Sequence, residues 1–169
     1  MSGVRPGGLI IGDSHSEASW TLGGRLKKLL EERGLTARVV GNRGKGVGWY
    51  LSTGKLQQAL GSFKPDLMVV ALGANDAGQF DELEYKALLV QFVAQAKDAG
   101  VQQIIWYGPS KSDGALVNRM PARQAIASWQ NQTLPGLGVE WHDSMAMTAD
   151  LPTSDGVHYR SAEYAIWAG

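Results

Sequence analysis

Leu67-Met68-Val69-Val70-Ala71-Leu72-Gly73-Ala74-Asn75-Asp76 decides how this chain reads. Six consecutive apolar residues have the length of a strand, and an uninterrupted run predicts burial on both faces. Such a strand belongs to a sheet covered by helices on each side. Gly-Ala-Asn-Asp then stops the run, so polar groups appear where the strand hands over to a loop.

The same alternation extends in both directions. Leu9-Ile10-Ile11 and Ala37-Arg38-Val39-Val40 read as strands before it, and Gln103-Ile104-Ile105-Trp106-Tyr107 and Val139-Glu140-Trp141-His142 after it. Residues 17–33 predict a helix, with Leu22, Leu26, Leu29 and Leu30 on one face and Lys27, Lys28, Glu31 and Glu32 on the other. Gly34 ends it. Further helices are predicted over 49–63 (weakened by Gly54), 82–99 (closed by Gly100), 119–132 and 161–167. Strands alternating with helices predict an α/β fold with a five-stranded parallel sheet covered on both faces. Residues 1–169 read as one domain, with the last helix still in progress at Gly169.

Bulk composition narrows the function. The chain carries 16 basic and 16 acidic residues, and a net charge of zero predicts no nucleic-acid partner. With no cysteine, disulfides, thiolate catalysis and Cys-based zinc sites are excluded. The histidines are scattered and form no His-x-x-x-His pair, so neither a metal nor a cofactor is expected. No run approaches the ~18 apolar residues of a membrane span, and residues 1–8 hold no apolar core of signal-peptide length.

In open parallel sheets, ligands bind beyond the carboxyl ends of the strands. Gly12-Asp13-Ser14, the glycine cluster from Gly41 to Gly48, and Gly73-Ala74-Asn75-Asp76 follow the first three strands. Asp155-Gly156-Val157-His158 precedes the last helix. Ser14 is the candidate nucleophile, although Ser14-His15-Ser16-Glu17 also has the Ser-x-x-Glu form of a capping box. A serine hydroxyl needs a base, and that base needs a partner to fix its tautomer. His158 and Asp155, three apart around Gly156, fit those needs, or form a plain surface turn. Of the chain's 3 histidines, His142 lies in a predicted strand and His15 is expected to open the first helix. The Asn75 amide can aim at a developing oxyanion, or Asn75 and Asp76 cap the next helix or make a polar turn. A glycine of the second cluster can bring a backbone N–H to the same oxygen, or the cluster is a flexible loop. That cluster is neither Gly-x-Gly-x-x-Gly nor a P-loop, so phosphate binding is a poor reading. Trp20, Trp49 and Trp129 can each stack on a sugar, with core packing as the default.

Taken together, the four segments resemble the SGNH (GDSL) hydrolase superfamily, from about residue 9 to the end of the chain. The resemblance implies a flavodoxin-like three-layer α/β/α sandwich and metal-free ester hydrolysis through an acyl-enzyme. It implies Ser14 as nucleophile, His158 as base and Asp155 as its orienting partner. It also implies an oxyanion hole made by the Ser14 amide, a second-block glycine amide (Gly44 or Gly46, less so Gly48) and the Asn75 side chain. The first block departs from the common form, with His15 where leucine usually follows the serine.

A chain this short leaves little room for a lid, and no long apolar tunnel is evident. Small acyl groups are therefore expected, with O-acetyl esters of carbohydrate as the specific expectation. The alternatives are a lysophospholipase or thioesterase on longer chains, acyl transfer to a sugar acceptor, and a non-catalytic carbohydrate-binding domain on the same fold.

Overall fold

The computed structural model describes residues 7–169. The signal-peptide reading of the N-terminus falls mostly on residues 1–6, outside the described residues. Five strands form one parallel sheet: β1 (Gly7–Gly12), β2 (Thr36–Gly41), β3 (Leu67–Ala71), β4 (Gln103–Tyr107) and β5 (Glu140–His142), in the order β2-β1-β3-β4-β5. Among the described residues, seven α-helices connect or follow them: α1 (Leu22–Glu32), α2 (Val47–Ser52), α3 (Lys55–Phe63), α4 (Glu82–Asp98), α5 (Met120–Thr133), α6 (Ser144–Thr148) and α7 (Ser161–Ala168).

Alternation along the strands divides the core. Leu9, Ile11, Met68 and Val70 face a cluster built with Tyr50, Leu56, Leu89, Phe92 and Ile126 from α2 to α5. Ile10, Val69 and Ala71 face the other side, against Leu22, Leu26 and Leu30 of α1 and Tyr164 and Trp167 of α7. The result is the expected three-layer α/β/α sandwich. Both faces of β1 and β3 are apolar because both are covered.

Two helix boundaries differ from the sequence reading. The first helix begins at Leu22 and not at Glu17, after a 3-10 turn over Ser14–Ser16. Ser16 fills a pocket that only glycines leave open: a Cβ on Gly12 would lie 2.1 Å from its Oγ, and one on Gly41 2.7 Å from its carbonyl carbon. That tight packing folds residues 14–16 back onto the strand ends instead of into α1. The helix expected over 49–63 is two helices, divided at Gly54, whose φ of 72° is left-handed. The short α6 had no apolar period to announce it.

β1, β2 and β3 end in register, with Gly12 paired to Gly41 and to Ala71. Chain leaves β1 toward α1 on one face, whereas α2 and α3 lie on the other. The strand order therefore reverses at β1 and β3, which is where such folds place a crevice. Among the described residues no helix is long and apolar enough to cross a membrane.

Candidate active site

Ser14 opens the 3-10 turn after β1. The Asp13 side chain caps that turn by accepting the His15 N–H at 2.9 Å. The expected Ser14–Glu17 capping box is absent; the Glu17 carboxylate instead accepts the Arg43 N–H at 2.7 Å. Ser14 is thereby released from capping, and its Oγ lies 2.7 Å from His158 Nε2.

His158 arrives on the loop before α7. Its Nδ1 is 2.7 Å from Asp155 Oδ2, while Asp155 Oδ1 accepts the backbone N–H groups of Val157 (3.0 Å) and His158 (2.7 Å). Desolvation pushes the Asp155 carboxyl up, but bonds from the His158 N–H, its ring and the Val157 N–H outweigh it and hold the acid well below the usual range. An ionised carboxylate only accepts, so Nδ1 carries the ring proton and Nε2 is left to accept from the Ser14 hydroxyl. Such a chain can draw the hydroxyl proton onto the ring as its oxygen attacks an electrophile.

The Ala74–Asp76 turn supplies two side chains with different jobs. Asn75 Nδ2 donates to Asp13 Oδ2 at 3.0 Å and to the Lys45 carbonyl at 3.3 Å, and it lines the same cavity as Ser14. Asp76 turns inward and accepts the N–H groups of Val47 (2.9 Å) and Gly48 (3.3 Å), fixing the start of α2. A Cβ on Gly46 would lie 2.3 Å from the Asp76 carboxylate, so glycine is what lets that carboxylate approach. Gln130 pins the same turn from α5, donating through Nε2 to the Leu72 carbonyl at 2.9 Å.

Gly44 lines the cavity beside Ser14. Gly46 does not line it; it caps α2 one step along the loop. Among the described residues the backbone N–H groups of Ser14, Gly44 and Gly46 have no hydrogen-bond acceptor. The cavity measures about 240 Å³. Its apolar lining is confined to Ala74, Leu116 and Val157.

His15 corrects the expectation that it opens a helix. It is buried behind His158, ring centroids 5.1 Å apart, among Tyr159, Tyr164 and Trp167, with Nδ1 2.8 Å from the Tyr164 hydroxyl. Burial first, then the charges of His158 and Arg123, push its pKa down to about 3, so the ring is neutral. Burial also raises Asp13 to about 6, against the His15 N–H bond and the Arg123 charge. His142 stacks on Tyr107 and pairs with Glu140, away from this cavity. Trp20, Trp49 and Trp129 do not line it either; Trp49 lies under Lys45, and Trp129 packs against Tyr85. Sequence reasoning missed Asp76 and Arg123. Asp76 carried a signal as the last residue of Gly-Ala-Asn-Asp, whereas an arginine inside a predicted helix carries none.

A doubly covered parallel sheet with a Ser–His–Asp chain at its switch point defines a hydrolase-type site. The chain belongs to the GDSL-like lipase/acylhydrolase family, whose model matches residues 10–166. That membership supports esterase or acylhydrolase activity. Solved structures share the fold at low identity. An alpha/beta hydrolase enzyme from the metagenome of Lake Arreo, Spain, has a TM-score of 0.78 at 19% identity, covering 96% of this chain and 91% of that one. The lipase/acylhydrolase of Enterococcus faecalis has 0.78 at 17%, covering 97% and 92%. An acetylxylan esterase from Geobacillus stearothermophilus has 0.72 at 22%, covering 98% and 92%. No curated protein matches this sequence.

Proposed function

We propose that the protein is a serine esterase for small carboxylic esters, with O-acetyl groups on carbohydrate as the substrate class. Ser14 Oγ attacks the ester carbonyl carbon while His158 Nε2 takes the hydroxyl proton. The ring returns that proton to the departing alcohol, leaving an acyl-Ser14 enzyme. Water then attacks the acyl carbon, its proton passing through His158 to Ser14 as the acid leaves. Asp155 holds the ring in the required tautomer throughout. The Ser14 N–H, the Gly44 N–H and the Asn75 amide serve the oxyanion, Gly46 being set aside because it does not line the cavity. In that step the oxyanion replaces the 3.3 Å contact of Asn75 to Lys45, the longer of its two bonds.

The observation that carries this reading is the pair of 2.7 Å contacts joining Ser14, His158 and Asp155 across 144 residues. Cavity size supports the short acyl group: about 240 Å³ falls below the ~300 Å³ at which drug-sized ligand pockets begin. The carbohydrate part rests on the family resemblance and the likeness to an acetylxylan esterase fold.

A series of p-nitrophenyl esters, with Ser14→Ala as control, tests the proposal. Activity is expected to peak at acetate, and Ser14→Ala is expected to lower kcat by at least about 10³-fold while staying folded. A folded, fully active Ser14→Ala protein would remove the nucleophile, and a peak at long chains would remove the acetyl preference.

A further inference from the structure

Arg123 is not used by the mechanism above, yet it lines the Ser14 cavity from α5 and is only 4% exposed. Its Nη1 donates to the carbonyls of Ser110 (2.8 Å) and Lys111 (3.3 Å). Both partners are neutral, and among the described residues no carboxylate forms an ion pair with it. A guanidinium taken out of water without an anion is unfavourable unless something else supplies the charge. Desolvation lowers its pKa, with the Asp13 charge opposing.

Two further guanidinium groups, those of Arg43 and Arg119, line the same cavity. The carboxylates there are already engaged: Asp13 by the His15 N–H and Asn75, Asp155 by His158. Three arginines thus line the cavity beside two aspartates, and among the described residues neither aspartate forms an ion pair with Arg119 or Arg123. Arg43 is spoken for in part, with Nε 3.3 Å from the Glu17 carboxylate. Arg119 is exposed and stands four residues before Arg123, on the same side of the α5 start.

The position of this pair also says which part of a substrate it meets. The segment leading to Arg119 abuts the His158 loop: Asp113 N–H donates to the Gly156 carbonyl at 3.0 Å, and Leu116 would lie 3.2 Å from a Cβ on Gly156. In the proposed reaction His158 hands its proton to the leaving alcohol, so the alcohol portion is the part of a substrate nearest to this loop.

We propose that Arg123 and Arg119 form an anion subsite, and that the preferred ester carries a carboxylate or phosphate on its alcohol portion. This rests on the serine esterase reading and narrows it from acetylated sugars to acetylated acidic sugars.

Matched esters test it: acetylated methyl glucoside against acetylated methyl glucuronide for the carboxylate, and acetylated glucose 6-phosphate for the phosphate. The wild-type protein is expected to favour at least one anionic ester over the glucoside by about tenfold or more in kcat/KM, the strength of a charged hydrogen bond. Arg119→Met and Arg123→Met are each expected to lower that ratio. Because it is taken within one protein, a general loss of activity does not move it. Arg119, being exposed, keeps the test valid where Arg123→Met fails to fold. Calorimetric binding of methyl glucuronide, glucose 6-phosphate and methyl glucoside to the Ser14→Ala protein reads the subsite without turnover. Tighter binding of an anion, weakened by Arg119→Met, supports the subsite even where no ester is cleaved, an outcome that counts against the esterase reading alone. Equal binding of all three, or a ratio unmoved in both variants, overturns it.

Discussion

Asn75 lines the cavity and holds two hydrogen bonds in the free protein, to Asp13 and to the Lys45 carbonyl. The shorter bond, to Asp13, keeps the amide in place while the longer one is exchanged for the developing oxyanion. Asn75→Ala is therefore expected to lower kcat on p-nitrophenyl acetate by about 10²–10³-fold with KM nearly unchanged. Steady-state kinetics check this, and an effect confined to KM would remove the oxyanion role. The structure brings Ser14, His158, Asp155 and Asn75 into one neighbourhood, and each was legible because it stands in a short polar segment between apolar runs. Arg123 was not, since its significance lies in what surrounds it. His15 was misread for the same reason: nothing local announces a cage assembled from Tyr159, Tyr164 and Trp167, some 150 residues away.

The connection from β2 to α2 shows what segments add to single residues. Its geometry is set from outside, by the Asp76 carboxylate accepting the Val47 and Gly48 N–H groups. Gly46→Ala would place a methyl group 2.3 Å from that carboxylate. It is expected to destabilise the protein by about 1–3 kcal/mol and to lower kcat by displacing the loop beside Ser14. Urea midpoints and esterase kinetics measure both, and an unchanged midpoint would contradict the packing argument. β1 and β3 were easy to locate because burial on both faces leaves their centres uniformly apolar. Helix starts were harder. Glu17 looked like the partner in a cap, but its carboxylate is drawn to Arg43 and the chain at Ser16 is drawn into the glycine-lined pocket. Both are tertiary contacts that override a local motif.

Acid-base balance belongs to the entire fold. Asp13 and Asp76 are each raised by burial to about 6 from an unfolded value of 3.8. A raised acid binds more protons folded than unfolded between those values, so its contribution to stability is full below 3.8 and is lost as pH rises through 6. Removing the titration at Asp76 should remove that slope. The stability of Asp76→Asn relative to wild type is expected to rise between pH 4 and 7, by on the order of 2–3 kcal/mol, whatever its offset at pH 4. Urea unfolding at several pH values measures the difference, and a flat or falling one would show that Asp76 is not held protonated by burial. The parallel sheet and its two-sided core were legible from the alternation of strands and helices, whereas the strand order was not. The gathering of Arg43, Arg119 and Arg123 at one cavity was not legible either, because it is the fold that brings Arg43 to the other two.

Asp155 and His158 reach the cavity together on one loop, tied to each other by two bonds, whereas a single contact links them to Ser14. Acid and imidazole thus travel as a cassette. A displacement of this segment by an ångström or two silences the serine while leaving the pair intact, and reseating it restores the complete relay without any re-pairing. In the proposed mechanism turnover is therefore expected to depend on the docking of α7, whose Tyr164 and Trp167 pack on His15, which in turn packs on His158.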